Sequence, residues 1–367
     1  MKKSLFASLM ILFASACKEK PEEIPMYTLY VGTYTRGASE GIYTYTFDAA
    51  KGKLSDQKLV AKLPNPSYLS VSKDKQHLYA VQETTDFDSL GGGITAFKIN
   101  DGELEFQKSL GTQGDNPCHV SLSDKGFLAV SNHGGGSVAI FKLNGDGLFE
   151  EGEPQIIDHK VLDTVKRAHA HMAQFIGNEL FVADFGLDAI KRYRLEDKLF
   201  VPGEQATIGL DDKAGPRHFT FGSHGKILYV INETGSTIVA FEKDPQGNYQ
   251  EIQAVKTIDD NYQGGNACAD IHLSPDGKFL YGSNRGENTI VIFSVDAGSG
   301  KLQLVGRESV QGNWPRNFTI DPTGKYLLVA NERSDNITIF ERDVQTGTLT
   351  YLNETQLPAP VCLVFED

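Results

Sequence analysis

Eleven residues with side chains able to move protons or hold an anion recur at comparable points of a repeating pattern. His119, His169, His171, Arg217, His218 and Arg316 stand at or just before the start of one apolar run, and His133, Asp184, Glu233, Arg285 and Arg333 just after the next. Five of the nine histidines fall in this set, in a chain whose formal net charge is −13. A carboxylate or a neutral imidazole can take a proton from water, and a guanidinium can grip a carboxylate or phosphate or face a developing oxyanion. Taken singly, each could instead satisfy backbone groups where strands meet a channel. Taken together, a basic funnel in an acidic protein suits a small anion, gripped through guanidinium contacts to carboxylate or phosphate. The chain has no Gly-x-Ser-x-Gly elbow.

The base is assigned to Glu233, with His171 second. An arginine beside Glu233 would lower its pKa and move the role to the histidine. Arg217 and Arg285 are assigned to the oxyanion and anion contacts, and His119, His133, His169, His218, Arg316 and Arg333 to substrate binding. No metal is expected: His169 and His171, two apart on a strand, would point to opposite faces, and there is no C-x-x-C pair. No cofactor is expected either. The triple glycines at Gly91 and Gly134 link strands with no helix following, which makes them turns and not phosphate loops.

The elements that must position these residues are short strands. One phrase, an apolar pair, a small residue and a polar tip, occurs seven times, with landmarks Gly32, Gln82, Asn132, Asp184, Asn232, Asn284 and Asn331 spaced 50, 50, 52, 48, 52 and 47 residues apart. A period near fifty built from alternating strands predicts an all-β, seven-bladed β-propeller with four antiparallel strands per blade. One blade reads in full from Asn65 to Thr112, with strands at Pro66–Ser72, His77–Gln82, Ile94–Ile99 and Leu104–Gln107. The first repeat, Tyr27 to Tyr34, lacks an inner strand, while Pro360–Phe365 is an inner strand without a blade. Closure of the first blade by the C-terminal strand follows, since it removes the open sheet edges. The loop into an inner strand and the loop out of a second strand share one end of such a ring, so the eleven residues are expected around one channel mouth. The Ser274-Pro275-Asp276-Gly277 type of turn at the other end reads as purely structural.

Lys2 and Lys3 precede an apolar run from Leu5 to Ala16 that is too short for a membrane span. Residues 1–16 read as a signal peptide, and Ala14-Ser15-Ala16-Cys17 as a lipobox-like site for lipidation of Cys17. Residues 17–26 form a disordered tether and 27–367 the propeller domain. The expected protein is exported, periplasmic or on the outer membrane, bound to membrane only through Cys17, and monomeric. Cys118, Cys268 and Cys362 are an odd, scattered set unsuited to a disulfide framework. The acidic balance excludes nucleic acid as a partner.

Several motifs together resemble the bacterial 6-phosphogluconolactonase family of seven-bladed propellers, itself similar in fold to carboxymuconate cyclases. They are Tyr30-Val31-Gly32-Thr33-Tyr34-Thr35, Asn116-Pro117-Cys118-His119-Val120, Arg167-Ala168-His169-Ala170-His171, Gly215-Pro216-Arg217-His218, Ser283-Asn284-Arg285-Gly286 and Pro315-Arg316-Asn317-Phe318. The resemblance covers Tyr27 to the C-terminus and implies lactone chemistry on a small anionic or sugar-lactone substrate. A muconate-type cyclase and a non-catalytic ligand- or protein-binding propeller are the alternatives from other classes.

Overall fold

The computed structural model describes residues 25–222 and 225–366, so Cys17 and the signal segment lie outside the described residues. Seven four-stranded antiparallel sheets follow one another around an axis. Blade 1 is Met26–Lys62 plus Pro360–Phe365, blade 2 Leu69–Gly111, blade 3 Pro117–Asp158, blade 4 Ala170–Gly209, blade 5 Pro216–Lys256, blade 6 Ala267–Ser309 and blade 7 Pro315–Gln356. A short 3-10 segment, His159–Val161, follows blade 3. The C-terminal strand pairs with Met26–Thr33, for example Val31 with Leu363, and closes the ring as the chain ends predicted.

Each second strand is buried on both faces, as in His77–Gln82, Ile227–Asn232 and Tyr326–Asn331. A strand covered on both sides by neighbouring sheets loses the polar alternation of a surface strand. The core is accordingly a set of seven apolar clusters, one between each pair of adjacent blades. Tyrosines on second strands latch across these seams. The hydroxyl of Tyr229 donates to Gly300 O at 2.7 Å and that of Tyr281 to Gly347 O at 2.9 Å, in each case on the following blade. Gly300 must be glycine there, because its φ is +70° and a Cβ would lie 2.7 Å from Ile227.

One backbone irregularity repeats and governs the channel. The pairing of the inner with the second strand shifts register at Pro117/His119, Ala170/Met172, Pro216/His218, Cys268/Ile271 and Pro315/Asn317. The residues skipped are Cys118, His171, Arg217, Ala269 with Asp270, and Arg316. A β-bulge bends a strand and re-aims the extra side chain. In four of these five blades it turns one residue toward the axis, and in blade 6 it takes up two, so that the following residue sits one step further down.

Candidate active site at the channel mouth

The bulges bring Arg217 to Glu233, which follows the second strand of the same blade, and Arg285 reaches the same carboxylate from blade 6. Oε2 of Glu233 lies 2.6 Å from Nη2 of Arg285 and 3.1 Å from Nε of Arg217. Both guanidiniums are buried, and both are pinned from behind by backbone carbonyls. Arg285 donates Nε to Ala267 O at 3.1 Å and Nη2 to Cys268 O at 3.0 Å, and Arg217 donates Nη1 to Ala269 O at 2.6 Å. Nη1 of Arg285 and Nη2 of Arg217 have no hydrogen-bond partner among the described residues. Those two groups are donors left available at the mouth.

Electrostatics lowers the pKa of both candidate bases, for different reasons. Burial acts to raise the Glu233 pKa, but Arg285 and then Arg217 outweigh it and hold the carboxyl below its ordinary value. Glu233 is therefore an anion held between two cations, an arrangement that counts against it as a base. Burial foremost, then Arg217, drives the His171 pKa well below the usual 6.5, so the imidazole is neutral at neutral pH. His171 is buried, its Nδ1 is 3.8 Å from Cys118 Sγ, and its ring meets His133 edge-on with centroids 5.3 Å apart. His133 stacks on His169 at 4.7 Å, and His169 is tied to the His133 carbonyl through Nδ1 at 2.9 Å. Burial, then the neighbouring His169, pushes His133 down to about 4.

The opposite rim is a second charged group that the sequence did not display as one. Arg316 lies 3.8 Å from Glu83 and over the Tyr34 ring, and Tyr34 donates its hydroxyl to Glu83 at 2.9 Å. Arg333 stacks 3.3 Å over Trp314, whose ring also faces Arg285 at 5.3 Å. Trp314 has a φ of +69°, unusual for a bulky residue, and its amide is held by Asn288 Oδ1 at 2.9 Å. Tyr34, Glu83 and Trp314 were missed. Each closes the mouth next to an assigned arginine, and Glu83 occupies in blade 2 the place that Glu233 occupies in blade 5, which was the available signal.

Three assigned positions are corrected. His119 and His218 follow the bulges, so they face down the channel and line an axial cavity of about 520 Å³ at the other end of the ring, with Tyr68, Gln174, Asp270 and His272. Neither lies at the mouth. Asp184 is fully buried and structural. It accepts from His159 Nδ1 at 2.7 Å and from the amides of His169, Gly186 and Leu187, and Tyr193 completes the group through His159 Nε2. Among the described residues no cluster of three or more metal-ligating side chains occurs.

Residues 28–365 match the family described as "Lactonase, 7-bladed beta-propeller". The chain belongs to this lactonase propeller family. It is 37% identical to the 6-phosphogluconolactonase of Bacillus subtilis over 92% of this chain and 98% of that protein. It is 38% identical to that of Formosa agariphila over 80% of this chain and 86% of that protein. The structure is similar to the periplasmic gluconolactonase PpgL of Pseudomonas aeruginosa, with a TM-score of 0.87, 32% identity and coverage of 93% and 99% of the two chains. These relatives support a lactone-hydrolysing function for this lactonase propeller.

Proposed function

We propose that this lactonase propeller hydrolyses an unphosphorylated aldonolactone of the gluconolactone type, with His171 as the base. The observation that carries the reading is the pair of unpartnered guanidinium donors, Arg217 Nη2 and Arg285 Nη1, held on either side of one ionised carboxylate. The lactone carbonyl faces these donors, so the oxyanion formed by water attack meets fixed positive charge in a site shielded from bulk water. Neutral His171 takes the proton of the attacking water, and the protonated imidazole returns it to the ring oxygen as the C–O bond breaks. Glu233 keeps both guanidiniums oriented and accepts from sugar hydroxyls. Arg316 and Arg333 hold the hydroxylated tail.

The absence of phosphate from the substrate is inferred from the leader. Phosphorylated sugar lactones are cytoplasmic metabolites, whereas Lys2, Lys3 and the apolar run from Leu5 to Ala16 before Cys17 read as the leader of an exported lipoprotein. The periplasmic relative supports the same compartment. Purified protein given glucono-δ-lactone, its 6-phosphate and a uronic lactone in a pH-stat tests the reading. Acid release several-fold above buffer with the first substrate is expected. No acceleration with any of them sinks the lactonase reading in favour of a binding propeller or a cyclase, and preference for the phosphate ester overturns the substrate choice. Mass spectrometry of membrane-derived protein is expected to find the mature chain beginning at a diacylated Cys17.

A further inference from the structure

His218 directly follows Arg217, yet the bulge turns the two side chains to different levels of the axis. The carboxylate of Asp270 lies beneath both, buried to 2% exposure. Its Oδ1 accepts from His218 Nδ1 at 2.7 Å and from the Ile271 amide at 3.0 Å. Its Oδ2 accepts from Asn317 Nδ2 at 2.5 Å, His272 Nε2 at 3.0 Å and the Phe318 amide at 3.4 Å. Asn317 Oδ1 in turn accepts from the Leu363 amide of the closing strand at 2.7 Å. Five donors from blades 5, 6 and 7 thus satisfy one carboxylate at the hub of the ring. A fully bonded buried charge of this kind is rigid, because any displacement strands several donors.

Two consequences reach Arg217. A His218 that donates through Nδ1 to Asp270 carries no proton on Nε2 in its neutral form, and that lone pair lies 3.5 Å from Arg217 Nη1. Ala269, whose carbonyl takes the same Nη1 at 2.6 Å, belongs to the bulge that Asp270 anchors through the Ile271 amide. Both supports of the guanidinium therefore trace back to one carboxylate. This is the logic by which an outer hydrogen bond fixes the tautomer and orientation of an inner group.

We propose that Asp270 and His218 are positioning residues for Arg217: they set its guanidinium so that Nε faces Glu233 and Nη2 faces the substrate. The kinetic half of this inference rests on the lactonase reading, and the structural half does not. Histidine-labelled ¹⁵N NMR on the whole protein tests the structural half. His218 is expected as the Nδ1–H tautomer, with an Nε2 resonance that moves on Arg217→Lys while the fold is retained. An Nε2–H tautomer, or an Nε2 resonance indifferent to that substitution, overturns the inference.

The kinetic half is read from two amides. In His218→Gln the side-chain amide reaches the level of Nε2 and can place its oxygen against Arg217. In His218→Asn the amide reaches only the level of Nδ1 and keeps the bond to Asp270 alone. Positioning predicts that His218→Gln retains kcat within about tenfold of the parent, while His218→Asn loses on the order of 10²-fold with a smaller change in KM, the penalty of a misplaced catalytic group. Asp270→Asn, which weakens both supports, is expected to resemble His218→Asn. If instead activity follows the thermal midpoints, with His218→Asn the more active because Asp270 stays bonded, the role is only structural and the inference fails. A parent protein without lactone turnover would sink the lactonase reading, and the NMR result would still decide the Asp270–His218–Arg217 link.

Discussion

Arg285 Nη2 stands 2.6 Å from Glu233 Oε2, the same oxygen that lies 3.1 Å from Arg217 Nε. Two buried cations converging on one acceptor repel each other unless that acceptor stays charged. Burial first, then Arg217, already pushes the Arg285 pKa down to about 10, which still leaves it cationic at neutral pH. Glu233→Gln removes the charge that reconciles them. The variant is expected to lose about 1–3 kcal/mol of stability, since the carboxylate is half-buried and partly screened, and to drop in kcat far more than a stability loss explains. Chemical denaturation beside initial rates would check it. Full activity in this variant removes Glu233 from the site.

His171 as the base predicts a loss of about 10²–10⁴-fold in kcat for His171→Ala with KM changed little. Its depressed pKa also sets the pH profile. A solvent-exposed imidazole would be half protonated near pH 6.5, whereas His171 stays neutral well below that. The lactonase rate, corrected for the spontaneous reaction, should therefore stay flat between pH 7.5 and pH 6. A midpoint near 6.5 would point to a different base.

Four channel histidines whose folded pKa values are lowered make acid stability a second test. His133 and His218 sit at about 4, and His119 and His171 well below 6.5, in each case with burial as the first cause. The unfolded chain binds these protons below about pH 6.5 and the folded one does not, so stability is complete above that value and falls as pH drops. The slope approaches about 1.4 kcal/mol per pH unit for each histidine. His272 has the opposite sign, raised by Asp270 against the pull of burial, but below pH 6.5 it is charged in both states and adds no slope. Glu233 and Asp270, both lowered, extend the decline below about pH 5. The thermal midpoint is expected to fall steeply between pH 6.5 and pH 4.5; an unchanged midpoint over that window contradicts the buried neutral histidines.

Deleting residues 360–367 removes a strand of the first blade. Val361, Leu363 and Phe365 are buried, and at about 1.5–3 kcal/mol each their loss approaches the whole stability of an ordinary domain. The deletion also frees the edge of Met26–Thr33. Expression should give insoluble chain with no cooperative unfolding transition, and a soluble truncated protein with a sharp midpoint would show that closure is dispensable.

Blade number, blade order and closure by Pro360–Phe365 were legible in the sequence, because the repeated phrase near Tyr79, Tyr229 and Tyr281 is local and its spacing near fifty residues is read directly from the chain. The gathering of Arg217, Glu233 and Arg285 was legible for the same reason, since loop position in a blade fixes the end of the ring. What alternation could not give was phase. A bulge adds one residue and turns every later side chain by one step, and its placement answers to the curvature of seven sheets around a shared axis. That is why Cys118 stands at the level of Arg217 while His119 and His218 drop toward the far cavity. Partners distant in sequence were equally out of reach: Tyr34 and Glu83 are 49 residues apart, and Asp270 carries no motif yet joins His218, His272 and Asn317. The sequence by itself determined which side chains belong to the ring and which of its ends their loops occupy. Only the tertiary structure decided which of them face the mouth, because that depends on inter-blade packing setting the register of each inner strand.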